Sequence, residues 1–360
     1  MKSNKRGDGG DSVHDHQPSG QRRSACTAIQ HCSPIWFTIC MDTGILSIIT
    51  HLLPYQFNGL GVLSTILFVF NLFLFSLFTL ISIARLIMFP TNTKSEATNS
   101  ADEISYLAAP AIAYLTIVSQ VGLTCSPAWG HGLTILAYVL WRIGMVWTIL
   151  LCSAAILVLA KRKVTDDRSL SPAIFLPTIS VMTSGTTGGL LVNYSYKISA
   201  RLALPVIIVS YMCIGYALFL SILLYAIYLH RLIAVGPPQP TKIPSLVITV
   251  GPLGQFATAI QLLGTAAYTR ADFADYDRGA FLKASAASAV ASSGVLVALL
   301  ILGFALFWIA TAWYILIEAL LMRKLSFSLT WWSMIFPMGS LLGVSQHVKK
   351  EKADSGENNV

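Results

Sequence analysis

Two kinds of residue in this chain could do chemistry, and both sit inside long apolar runs. The first kind is ionisable. Asp42 lies in the first apolar run and Arg142 in the middle of the fourth. A charge in such a run is costly unless it is paired, hydrated or neutralised. Arg142 is therefore the candidate intramembrane partner of Asp42, the alternative being that Asp42 faces water near a helix end. The second kind is polar without charge: Thr43 beside Gly44, the hydroxyl run Thr183, Ser184, Thr186 and Thr187, and Gly251-Pro252-Leu253-Gly254-Gln255. Two glycines, a proline and a glutamine within five residues free backbone groups that need partners. In hydrocarbon such a break is tolerated only where other protein or a water-filled cavity covers it. Gly251, Pro252, Gly254 and Gln255 thus mark an inner helix facing a pathway, or else a kinked and tightly packed one.

Catalysis finds no footing. There is no H-E-x-x-H, no G-x-S-x-G and no clustered His/Asp acid–base set, so no catalytic residue is assigned and an enzyme is not expected. Cys26, Cys32, Cys40, Cys125, Cys152 and Cys213 show neither C-x-x-C nor metal-ligand spacing. They read as small apolar residues, with no metal and no cofactor. His14, His16 and His31 belong to a polar stretch and read as solvated.

The elements that must hold these residues follow from composition. Of 360 residues, 55% are hydrophobic and only 11% charged, against about a quarter charged in a soluble domain. The charges cluster between apolar runs long enough to cross a bilayer, about 20 residues. This is an all-α polytopic membrane protein in contact with the lipid bilayer. Residues 1–31 read as a cytosolic tail, 32–345 as the transmembrane domain and 346–360 as a polar tail. Spans are expected near 34–53, 59–89, 104–124, 131–160, 172–192, 202–230, 244–266, 285–321 and 329–345. Basic residues gather after the even spans, as in Lys161, Arg162, Lys163 and Arg168, or Arg323 and Lys324. The net charge of +8 is loop charge of this kind and no nucleic-acid signal, and it puts the N-terminus in the cytosol.

The odd spans are short and broken by Pro34 and Gly44, by Pro110 and Gly122, by Pro177, Gly185, Gly188 and Gly189, by Gly251, Pro252 and Gly254, and by Pro337, Gly339 and Gly343. The even spans, such as Leu63 to Leu86 and Val295 to Leu321, are long and smooth. The chain thus repeats a helical hairpin. Broken members inside and smooth ones outside would leave a central pore.

The motifs His31-Cys32-Ser33-Pro34-Ile35-Trp36-Phe37 and Met41-Asp42-Thr43-Gly44-Ile45 resemble the "SPxWF…MGTGI" opening of the fungal sulfite efflux pump family. That family lies within the tellurite-resistance/C4-dicarboxylate transporter superfamily, which includes slow-type anion channels. Leu53-Pro54-Tyr55, Pro127-Ala128-Trp129-Gly130, Gly251-Pro252-Leu253-Gly254-Gln255 and Trp331-Trp332-Ser333-Met334-Ile335-Phe336-Pro337-Met338-Gly339 match in family order. The resemblance implies ten helices in five hairpins, a homo-oligomer in the plasma membrane, and passage of a small anion such as sulfite or malate. It puts a pore-plugging phenylalanine at Phe336, the alternative being an ordinary core aromatic. Half-helix N-termini, exposed backbone N–H groups and the hydroxyls of Thr43, Thr183, Ser184, Thr186 and Thr187 would attract the anion without binding it tightly.

Three departures carry expectations of their own. Asp42 stands where the family has glycine, and would either couple proton movement to anion movement or weaken transport. Phe256-Ala257-Thr258-Ala259-Ile260 follows Gln255 in place of glycine-rich sequence, adding bulk that would narrow the path. Polar sequence from Lys349 to Val360 stands where the tenth span is expected. On that reading the tenth helix is missing, and a truncated, non-transporting regulatory protein is the alternative to an active carrier of sulfite or of a C4-dicarboxylate.

Overall fold

The computed structural model describes residues 29–30, 32–162, 170–269, 273 and 282–343. The two expected tails lie outside these residues, apart from positions 29 and 30. So do Cys26, the three histidines of the N-terminal stretch, and the loop charges Lys163, Arg168, Arg270, Asp272, Asp275, Asp277 and Arg278.

Among the described residues, eight helices are long and apolar enough to cross a membrane. They are α1 (Pro34–Leu52), α2 (Leu60–Met88), α3 (Ala101–Trp129), α4 (His131–Lys161), α5 (Pro172–Tyr194), α6 (Ala200–Val235), α7 (Pro240–Tyr268) and α8 (Ala284–Leu321). A ninth stretch begins as the 3₁₀ turn Leu329–Met334 and continues as the helix α9 over 335–343. The chain is an all-α multi-pass membrane protein.

Inside and outside divide as the sequence pattern requires. In each odd helix from α1 to α7, 56–94% of the most apolar stretch is buried, against 11–39% in the even ones. Val62, Ile66, Phe70 and Phe73 of α2 are all exposed, an apolar strip that belongs in a bilayer. Helices α1 and α5 start alike, because a serine caps the first turn and proline follows where no N–H is missed. Ser33 precedes Pro34, and Ser171 precedes Pro172.

The N-terminal ends of the odd helices are then tied to one another. Ser33 donates to Glu103 of α3 (2.7 Å) and Ser171 donates to Asp102 (2.5 Å). Lys242 of α7 makes an ion pair with the same Asp102. Ser328 and Thr330 donate to the Thr241 carbonyl (2.9 and 2.8 Å). One acidic turn of α3 thereby holds α1, α5 and α7, and α7 holds the ninth stretch.

The breaks are gentler than the sequence pattern implies. Helix α1 runs unbroken through Gly44, and α5 runs unbroken from Leu176 to Tyr194 through Gly185, Gly188 and Gly189. In α3 the irregularity is a π turn, Val121–Cys125, around Gly122. In α7 an 11-residue 3₁₀ segment, Pro240–Val250, passes into α-helix at Gly251. Proline early in each segment removes a donor without breaking the rod. The glycines act by close approach. A side chain on Gly44 would meet Thr116 at 2.1 Å, and one on Gly188 would meet Ser210 at 2.1 Å.

Candidate functional site

The C-terminal halves of the odd helices and α9 enclose a cavity of about 40 Å³, room for about three waters. No charged side chain lines it. One wall is aliphatic, with Ile45, Ile48 and Leu52 of α1. The opposite wall is polar and comes from α3, α5, α7 and α9.

The hydrogen bonds of the polar wall decide what it offers. Most hydroxyls direct their hydrogen to a backbone carbonyl of their own helix. Thr183 donates to Ile179, Thr116 to Ala113 and Ser340 to Pro337. Thr258 donates across to the Ser340 carbonyl at 2.8 Å. These groups turn lone pairs to the cavity, since a hydroxyl has one hydrogen. One donor group remains. Thr186 donates to the Gln255 side-chain oxygen at 2.7 Å, which leaves the Gln255 amide hydrogens for the cavity. Ser119 donates to the Leu115 carbonyl at 3.0 Å, so its 3.1 Å contact with Thr187 takes up the Thr187 hydrogen.

Phe336 lines the end of the cavity nearest the helix N-termini and is 1% exposed. Behind it the N-terminal halves of the odd helices pack into an apolar layer containing Phe37, Met41, Phe175, Ile179 and Leu246. Phe175 stacks on Tyr225 of α6 with centroids 4.6 Å apart, and Tyr225 packs on Trp308 of α8. The path therefore narrows to a dry plug on one side of Phe336 and is hollow on the other. The Phe336 backbone N–H donates to Asp42 Oδ1 at 3.0 Å. Asp42 is 0% exposed, and its other oxygen has no hydrogen-bond partner.

Several expected pathway residues fall elsewhere. Thr183, Thr186, Gln255 and Phe336 line the cavity. Ser184 does not: it faces α4, where its hydroxyl meets Thr148 at 2.8 Å and its carbonyl accepts from Trp141. The Thr43 hydroxyl bonds back to Ile39, and Gly44 packs on Thr116 and Asn71. Gly251 packs against Ile179, and Gly254 against Ser340. Pro252 is buried and also lies off the cavity wall. These last residues bring helices together and do not face the hollow.

Arg142 is not the partner of Asp42. Among the described residues the ion pairs are Arg85–Glu96 and Lys242–Asp102. Arg142 lies exposed on the outer side of α4, stacked over Tyr138 at 4.6 Å from the ring centre and donating to its hydroxyl at 2.5 Å. The middle of an outer helix turns a residue away from the bundle axis, which sequence position alone does not reveal. Thr258, in the stretch expected to narrow the path, lines the wall, as do Thr116, Ser119 and Ser340, which were not foreseen. The signal was a hydroxyl at three-residue spacing in α3 and a lone hydroxyl in α9.

A model of the voltage-dependent anion channel family matches residues 31–356. A sulfite efflux pump (SSU1) of Arthroderma benhamiae is 28% identical over 348 residues, covering 95% of this chain and 89% of that protein. The sulfite efflux pump of Trichophyton rubrum is similar to the same extent. A malic acid transport protein of Schizosaccharomyces pombe is 25% identical over 237 residues, covering 66% of this chain and 52% of the relative.

Proposed function

The chain belongs to the voltage-dependent anion channel family, and from that premise we propose that it exports sulfite across the plasma membrane, as a homo-oligomer with its N-terminus in the cytosol. The observation that carries the reading is the uncharged cavity. It presents the unfilled amide donors of Gln255 to a hollow of about 40 Å³. A few hydrogen bonds in a site of low dielectric hold a small anion weakly enough to let it leave. The hollow suits an oxyanion with a few heavy atoms and is tight for a C4-dicarboxylate, which would also call for cationic anchors. The lining has none. The similarity to sulfite efflux pumps over 95% of the chain supports the same choice.

Phe336 serves as the gate. Its ring stands between the hollow and the dry plug, so an anion passes only when the ring moves. The path it guards is made by Thr183, Thr186 and Gln255, with Thr187 beside them.

The test is sulfite efflux from fungal cells that lack their own pump and express this chain, alongside Phe336→Ala. Efflux that rises with expression, and rises further in the variant, supports both substrate and gate. Absence of sulfite flux from protein shown to reach the plasma membrane would overturn the export reading. Malate flux in its place would move the assignment to dicarboxylates.

A further inference from the structure

We propose that Asp42 is the latch of the gate, a positioning residue that holds Phe336 in the closed place through its backbone. The inference rests on the reading of Phe336 as the gate and goes beyond it, because it says what sets the ring's position. Asp42 does not line the cavity. It sits on α1, wholly buried, and reaches across to the start of α9, where its Oδ1 accepts the Phe336 N–H.

That N–H falls in the first turn of the helical stretch 335–343. The first N–H groups of a helix have no partner within it and need one from outside. A carboxyl oxygen placed there accepts the bond where the helix dipole favours an acceptor. The Phe336 ring is purely apolar and makes no directed bond of its own. Its place follows from where its backbone is held. The remainder of α9 is held farther along, by Thr258 on the Ser340 carbonyl and by the contacts of Gly339 with Ile45 and Ile49. The first turn, which carries the gate, has Asp42.

The second carboxyl oxygen makes the latch single. With Oδ2 unpartnered, one hydrogen bond is the polar tie on the first turn, added to the packing of the buried ring. A bidentate clamp would hold the gate permanently, whereas one bond between two rigid helices can be broken and remade.

The experiment measures sulfite flux and the amount of protein at the cell surface for Asp42→Ala and Asp42→Asn, each with Phe336 present and with Phe336→Ala. A buried neutral hydrogen bond shifts an equilibrium by about two- to tenfold. Asp42→Ala should raise flux per molecule about two- to tenfold, in the direction of Phe336→Ala. Asp42→Asn keeps an acceptor oxygen at the same place and should stay near the parent. In the Phe336→Ala background, Asp42→Ala should add nothing, because the latch then holds no ring. Unchanged flux in Asp42→Ala, or an increase that adds to that of Phe336→Ala, would overturn the latch. If Asp42→Ala does not reach the surface, Asp42→Gly removes the same acceptor and is read in its place. Should Phe336→Ala itself leave flux unchanged, the gate reading fails, an outcome distinct from failure of the latch alone.

Discussion

Gln255 is the side chain on which the polar wall turns. Thr186 occupies its oxygen at 2.7 Å, so its amide hydrogens are what an anion meets. Gln255→Leu keeps the bulk and removes both donors. Hydrogen bonds to charged groups contribute about 1.5–3 kcal/mol, so sulfite flux should fall about tenfold or more at unchanged surface expression. Flux equal to the parent would take Gln255 out of the path. Gln255 and Thr186 were legible in the sequence because polar groups stand out in an apolar run. Ser184 was misread for a physical reason. Neighbouring helix positions differ by about 100° in direction, so in a run of hydroxyls only some face inward. Which ones do is decided by the neighbours, here Thr148 and Trp141. Arg142 failed in the same way.

Among the elements, the alternation of interrupted and smooth helices was fully legible, because each kind must suit its surroundings and composition records that. What the interruptions become was not. Glycine in an apolar run permits either an unwound segment or a close helix crossing, and the partner helix decides. Gly254 shows the second outcome. A side chain there would stand 2.4 Å from Ser340 Oγ and 3.2 Å from the Leu341 backbone nitrogen. The backbone cannot yield as a side-chain tip can, so Gly254→Val must push α9 away from α7. Overpacking of this kind costs about 1–3 kcal/mol. Thermal unfolding of the purified protein in detergent should shift downward, while Gly303→Val, with open space around it, should leave it in place. Equal shifts in the two would remove the packing role of Gly254. The 3₁₀ segment Pro240–Val250 left no comparable mark, since its sequence reads as ordinary apolar helix.

Across the whole molecule the bundle has one closed and one hollow half. The helix N-termini are tied by Asp102 and Glu103 and sealed by the aromatic layer, while the cavity lies toward the C-terminal ends of the odd helices. On the proposed orientation, with the N-terminus in the cytosol, the hollow half faces outward. A thiol at position 52, on the cavity wall and half-buried, should therefore react with a membrane-impermeant reagent added outside. In the same assay Leu246→Cys, within the dry layer, should not react from either side. Labelling of position 52 only from the cytosol would reverse the orientation. The order in which the chain is made gives the gate a further property. Asp42 and Phe336 are 294 positions apart, and synthesis at about 5–20 residues per second separates them by roughly 15–60 s. Through that interval Asp42 is buried only as the later helices close around it, with its α9 partner not yet made. The tie between α1 and α9 can form only after every helix between them has been made.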